Sequence, residues 1–295
     1  MTRLIQNLPP ETLLFTAAAV IAGSLVTAAV ELPILPLLIV LLIGVSLLGL
    51  PHGALDPLIA HRANLWTGPL GFLAFNAVYI AIAAQVVAMW LLIPEIALAG
   101  FLLVSAWHFA GDWFGRGAAI ARLAVGLALL CLPTVLHGPV VAEIYAVLAG
   151  PAGAQLVAAQ QLIAGPAVIA SAALFLSARP NDWRPGVELV AVFLVALFLP
   201  PLVFFLVYFC GLHSPRHLLA HARTLSSSVR PNRMALYVLG YTAGALAILG
   251  GGFLALNAAD IALNESLLRL VFIGLAALTV PHMLVLEYVE RRAHE

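Results

Sequence analysis

The chain contains no lysine. Its thirteen basic residues are all arginine, matched by thirteen carboxylates, so only 9% of the 295 positions are charged. A soluble domain carries about a quarter, so the composition excludes an ordinary water-soluble globule. The arginines are scattered rather than clustered, which excludes the basic patch that a nucleic-acid partner needs. Cysteine is nearly absent as well. Cys131 and Cys210 lie in separate apolar runs without CxxC spacing, so neither a disulfide framework nor a thiolate metal site is indicated. What fills the sequence instead is apolar: 63% of residues are hydrophobic and the mean hydropathy is +1.09. These are the proportions of an all-α, polytopic membrane protein.

Roughly 20 apolar residues cross the hydrocarbon as a helix, because every backbone polar group must be satisfied inside lipid. Cutting at proline, glycine and charge clusters gives spans near 12–30, 34–60, 69–93, 96–114, 119–136, 154–178, 186–199, 201–222, 234–256 and 266–290. The expectation is a transmembrane bundle of about ten spans. The seventh is short and only Pro200 and Pro201 separate it from the eighth, so the count runs from eight to ten. Residues 137–153 are too short to span and are expected at the interface. The first apolar stretch reads as a retained helix rather than a cleaved signal peptide. The other loops are brief, so residues 1–295 are expected to form one integral membrane domain.

Arginine in short loops collects on the cytoplasmic side. With ten spans and an inside N-terminus, Arg3, Arg62, Arg116, Arg122, Arg179, Arg184, Arg223, Arg230, Arg233, Arg291 and Arg292 all fall inside, and Arg269 outside. The outer ends carry Glu31, Glu95, Glu143, Asp260 and Glu265. The expected location is the cell (inner) membrane, with both termini cytoplasmic.

Histidines recur within these apolar spans. At 1.5 Å of rise per residue, His52, His108, His213, His217 and His282 all lie roughly 8 to 13 Å from the inner ends of their spans. Four helices distant in sequence thus bring imidazoles to one slab of the membrane. Ionisable groups at such depth are costly and functional by default. His213 and His217, four apart on a helix, share a face and can chelate one metal ion. On the same spacing Asp56 is expected beside His52 and Asp112 beside His108, each accepting from the ring nitrogen that is not on the metal. Pro51, Pro215 and Pro281 adjoin these histidines, and proline kinks at that level open a cavity. The aromatics Trp107, Phe109, Trp113, Phe204, Phe205, Tyr208 and Phe209 flank the histidines. They read as packing, with some lining any cavity. His137, His221 and His294 read as interhelical hydrogen-bonding or interfacial residues.

The ordered set "PHGALD", "WHFAGD", "HSPRH" and "PHMLVLE" resembles the Brp/Blh family of β-carotene 15,15'-dioxygenases, over essentially the whole chain from the second span. The resemblance implies that O2 cleaves the central double bond of β-carotene to two retinal at a non-haem Fe(II) centre held by histidines. Carried over motif by motif, the metal ligands are His52, His108, His213 and His217. Asp56, Asp112, His282 and Glu287 are second-rank candidates, for the surroundings of the metal or the substrate channel. Four neutral imidazoles on a six-coordinate ion leave two open positions, and no side chain is singled out as a general acid or base. The partners implied are β-carotene, O2 and the lipid bilayer, with retinal passed to an opsin as a family expectation.

The rival readings are a different His-ligated membrane oxidase or hydroxylase, a bis-histidine haem protein and a proton-coupled transporter. A di-iron hydroxylase needs about eight clustered histidines in several HxxxH or HxxHH pairs, whereas this chain has the one run His213, His217, His221. Haem has no CxxCH to attach to. A transporter is expected to show a repeat between its halves, and none is evident.

Overall fold

Proline punctuates the chain, and the helices obey it. The computed structural model describes residues 8–28, 33–114, 118–177 and 182–292. Its helices are α1 (Pro10–Thr27), α2 (Ile34–Gly44), α3 (Asp56–Arg62), α4 (Gly68–Leu92), α5 (Pro94–Phe109), α6 (Ala119–Ala154), α7 (Leu156–Ser177), α8 (Arg184–Phe198), α9 (Pro201–Phe205), α10 (Ser214–Leu225), α11 (Pro231–Ala258) and α12 (Leu263–Arg292). Proline opens α1, α5, α9 and α11 at the first position, where its missing N–H costs nothing and its fixed φ suits the helix.

Among the described residues nine helical segments are long and apolar enough to cross a membrane, and no strand occurs. The bundle is all-α, and its span count lies within the expected range. The shortfall from ten is α8: at 15 residues it is about 22 Å long, less than the roughly 30 Å of a hydrocarbon core. Within α6 the backbone kinks at His137, where residues 137–153 were expected to part from the preceding span, and again leaves helical φ/ψ at Ala149 and Gly150. Arg122, counted above among the inside arginines, is buried in the first turn of α6, with its guanidinium 4.3 Å from the Trp107 ring. Arg3, Glu31, Arg116, Arg179 and His294 lie outside the described residues.

The chain divides into two compact units. The first comprises residues 1–33 and 98–213, the second 34–97 and 214–295. In the first unit α6 is the central helix. A Cβ added at Gly126 would meet the Ala106 carbonyl oxygen at 1.9 Å, so the bare glycine is what lets α6 lie against α5. Ala110, Val125 and Leu189 form an apolar cluster there with Trp113, Phe114 and Phe193 packed on it.

In the second unit α12 is the axis, and two clusters join it to the bend between α2 and α3. One is built on Leu55, Leu58, Ile59 and Leu225, the other on Ala60, Trp66 and Val285. The outward helix of this unit, α11, buries no residue, and α4 buries only Trp90.

Two interruptions of α-geometry position the chemistry. A π-helical turn at Val45–Gly49 leads into a 3-10 segment Leu50–Leu55 that carries His52. A longer π-helical stretch, Leu206–His213, ends on His213. Such bulges sit in α-helices chiefly at functional sites. Here the first follows from an apolar run meeting Pro51, and the second follows Pro200 and Pro201 by one turn of α9.

Candidate functional site

In the first unit His108 ends α5 and His213 ends the π-helical stretch. Their Nε2 atoms face each other at 3.0 Å, with both rings buried. His213 Nδ1 lies 3.2 and 3.1 Å from the two Asp112 oxygens. A carboxylate only accepts, so this nitrogen carries the proton and Nε2 carries the lone pair. Tyr208 donates its hydroxyl to Asp112 Oδ2 at 2.8 Å, which fixes the carboxylate in turn. The rings of Phe109, Tyr208 and Phe209 stand 4.8, 6.0 and 5.7 Å from that of His213, centroid to centroid, and exclude water from it.

The second unit repeats the constellation with other residues. His282 Nδ1 lies 2.8 and 2.9 Å from the two Asp56 oxygens, and Tyr79 donates to Asp56 Oδ2 at 2.9 Å. His52 Nδ1 is held by the Gly49 carbonyl and by Ser214 Oγ at 3.3 Å. Its ring centroid is 5.0 Å from that of His282 and 6.4 Å from that of His217. His221 stands 5.8 Å from His217 and 6.5 Å from His282, so four imidazoles form a closed circuit.

The carboxylates correct the expected pairing. Asp56 serves His282, 226 residues away, rather than His52, and Asp112 serves His213, 101 residues away. The physical reason is the 3-10 geometry at both places. In an α-helix residues four apart diverge by roughly 40°, whereas at three residues per turn they diverge by roughly 120°, so Asp56 is turned off the face of His52. An unpaired carboxylate in so buried a position is excluded on energetic grounds, and its partner histidine and tyrosine together satisfy it.

Among the four expected ligands, His108 and His213 meet directly in the first unit, and His52 and His217 are neighbours in the second. His213 and His217 also share one continuous helical span, Pro201–Leu225. His282 sits at the same rank as His213, with the same carboxylate and phenol behind it. His221 stands beside this group, next to His217 and His282. Glu287 lies one turn from Arg291 at 3.9 Å, away from the cavity lining described below. His137 makes the interhelical contact expected of it, 3.3 Å from the Phe198 carbonyl. Tyr79 and Ser214 were not legible as site residues, since a lone hydroxyl in an apolar run carries no spacing signal.

The donor set suits a metal. Two imidazole nitrogens 3.0 Å apart match adjacent ligands on an octahedral ion with metal–nitrogen bonds of about 2.1 Å. Nδ1 is engaged in His52, His213 and His282, which leaves the Nε2 lone pairs for coordination, and carboxylate-backed histidine is the usual support for a metal. A histidine-rich group able to bind a metal is therefore present.

An apolar cavity of about 80 Å³ opens beside the second unit's histidines, with His52, Asp56 and His282 at one end and Phe75, Leu275 and Leu278 along its walls. The seven aromatics singled out in the sequence are absent from this lining. Its aromatic members, Phe75, Tyr79 and Tyr241, come from α4 and α11.

Comparison with known proteins agrees with this geometry. The family model described as beta-carotene 15,15'-dioxygenase matches residues 43–290. A beta-carotene 15,15'-dioxygenase from uncultured marine bacterium 66A03 is 28% identical over 254 residues, covering 84% of this chain and 92% of that protein. A probable beta-carotene 15,15'-dioxygenase, Blh, from Halobacterium salinarum is 29% identical over 283 residues, covering 82% of this chain and 81% of that protein. No solved structure matches the chain. The matched region holds all four histidine motifs together with both carboxylates that support them, and the chain belongs to the β-carotene 15,15'-dioxygenase (Brp/Blh) family.

Proposed function

We propose that this protein cleaves the central 15,15' double bond of β-carotene with O2, giving two molecules of retinal, at one non-haem iron held by His52, His108, His213 and His217. The observation that carries the reading is the family match across residues 43–290, which includes the His108–His213 pair with its supporting carboxylate. When bound, the iron supplies activation of O2.

The chain's own residues supply the rest. Asp112 keeps the His213 proton on Nδ1, and Tyr208 holds Asp112 in place. The Gly49 carbonyl orients His52. Asp56 and Tyr79 do for His282 what Asp112 and Tyr208 do for His213. Phe109 and Phe209 keep the buried rings dry, which limits side reactions of activated oxygen. No step in this scheme asks a side chain to act as a general acid or base.

The reading takes residues 1–295 as a single integral membrane domain in the cell (inner) membrane, with both termini cytoplasmic. β-Carotene is itself dissolved in the bilayer, so it reaches the protein without an aqueous step. Retinal released into the same bilayer is available to an opsin.

The test is expression in cells that accumulate β-carotene, followed by extraction of retinoids. Retinal with loss of the orange colour is the expected result. Longer apocarotenals would move the cut off centre, and an unbleached culture with protein in the membrane would overturn the reading. Purified protein is expected to hold about one iron per chain and no Soret band, which also separates it from di-iron and haem proteins.

A further inference from the structure

The cavity beside His52 and His282 does not end at Tyr79. A second, larger and more open hollow of about 620 Å³ lies between α4 and α11, walled by Phe72, Leu236, Tyr237, Gly240, Gly244 and Ile248. Asn76, Tyr79, Tyr241, Ala245 and Leu278 line both hollows. They form the neck between an outer chamber on the lipid-facing side and an inner chamber floored by imidazoles.

Three features make this a passage for a ligand rather than a packing fault. Gly240 and Gly244 stand one turn apart on α11, and a Cβ added at either would meet nothing within 4 Å, so these glycines keep a stripe of α11 clear without letting another helix approach. The polar groups at the neck are satisfied within the protein. Tyr241 donates to Asn76 Oδ1 at 2.6 Å, Asn76 Nδ2 donates to the Phe72 carbonyl at 2.8 Å, and Tyr79 donates to Asp56. A passing ligand therefore meets hydrocarbon and ring faces and displaces no hydrogen bond. The outer chamber, at about 620 Å³, also falls within the range of pockets that take small organic ligands, about 300–1,000 Å³, while the inner chamber, at about 80 Å³, has room only for a narrow chain.

We infer that this two-chambered passage is the binding site for one arm of the carotenoid, a long apolar polyene entering laterally from the bilayer between α4 and α11 with the Asn76–Tyr241 hydrogen bond at its doorway. The inference rests on the proposed cleavage reading. A phospholipid acyl tail would fit the outer chamber equally well by polarity. The imidazole floor decides for the substrate, because the molecule that must reach those histidines is the one that is cleaved.

The experiment fills the outer chamber from α11. Gly244→Trp is expected to lower retinal formation at least tenfold in β-carotene-accumulating cells, with iron content and membrane level unchanged. Leu239→Trp adds the same bulk to the same helix at a residue that is 67% exposed and outside both linings, and is expected to retain wild-type cleavage. Should Gly244→Trp fail to accumulate, Gly240→Trp reads the same chamber.

A second arm separates this inference from the cleavage reading. β-Carotene retained by purified His213→Gln protein is measured with and without Gly244→Trp. Loss of retained carotenoid on adding the tryptophan supports the passage whether or not the wild type makes retinal. Equal retention, or a Gly244→Trp enzyme that cleaves at the wild-type rate, overturns it and leaves the chamber to lipid. A wild type that makes no retinal counts against the cleavage reading alone.

Discussion

His213 is gripped from both sides: its Nδ1 by the Asp112 carboxylate at 3.1 Å, and its Nε2 facing His108 Nε2 at 3.0 Å. With Nδ1 protonated, two arrangements satisfy the pair, a proton donated by His108 or a cation shared by both rings. Metal binding favours the second. His108→Ala and His213→Gln are therefore expected to remove bound iron and to reduce retinal formation at least a hundredfold. Metal analysis of purified protein and retinoid extraction check this, and either variant keeping one iron per chain would argue against these residues as ligands. Glutamine is chosen at His213 because the side chain is fully buried, and alanine there would leave a void worth a few kcal/mol.

Asp112→Asn tests the tautomer. An amide can offer N–H to Nδ1 where the carboxylate only accepts, so the proton is expected to move to Nε2 and the lone pair to be lost from the metal side. The result is metal affinity weakened about 10- to 100-fold, the usual effect of losing such support. Tyr208→Phe removes one 2.8 Å hydrogen bond to the same carboxylate and is expected to act in the same direction but less. Iron titration of the apo-protein measures both.

Asp56→Asn extends the test to the second unit. If Asp56 supports a working histidine through His282, the substitution lowers iron affinity or cleavage as Asp112→Asn does. A variant with wild-type iron and wild-type turnover would reduce the Asp56–His282–Tyr79 group to a packing element.

Gly126→Ala probes the helix contact that brings His108 into place. Its methyl would have to occupy the position 1.9 Å from the Ala106 carbonyl, so α5 and α6 must part. The expected cost is about 1–3 kcal/mol or more, seen as a lower melting temperature in detergent. Gly165→Ala, where the added atom meets nothing within 4 Å, is expected to be neutral or to stabilise by about 0.5–1 kcal/mol, as glycine is entropically costly within a helix.

The short helix α8 decides the topology. The nine long segments alone put the two termini on opposite faces, whereas a crossing by Arg184–Phe198 restores an even number. The arginines of the C-terminal half, among them Arg223, Arg230, Arg233, Arg291 and Arg292, fall on the side of Arg62 only if α8 crosses. Reporters on the two termini are expected on the same, cytoplasmic face. Reporters on opposite faces would show that α8 turns back within the membrane.

Much of this was legible in the order of residues. Long apolar runs cut by proline fix where helices start, since Pro10, Pro94, Pro201 and Pro231 can open a helix but not continue one from before. The four histidine motifs stand out because imidazole in hydrocarbon is expensive and so needs a reason. Tyr79 and Ser214 had no such mark, and of the aromatics nearest the histidines in sequence Phe109, Tyr208 and Phe209 pack around His213, while none of the seven lines the cavity beside His52 and His282.

Sequence alone determined that the chain is a helical membrane bundle and marked histidines at one depth as the candidates for its chemistry, because hydropathy and the cost of buried charge act on each residue where it stands. Which carboxylate serves which histidine was decided only by the tertiary structure. The 3-10 turns at Leu50–Leu55 and Ala110–Asp112 rotate neighbours four apart off a common face, so Asp56 and Asp112 find partners on segments distant in sequence, which only the packing of the chain brings within reach.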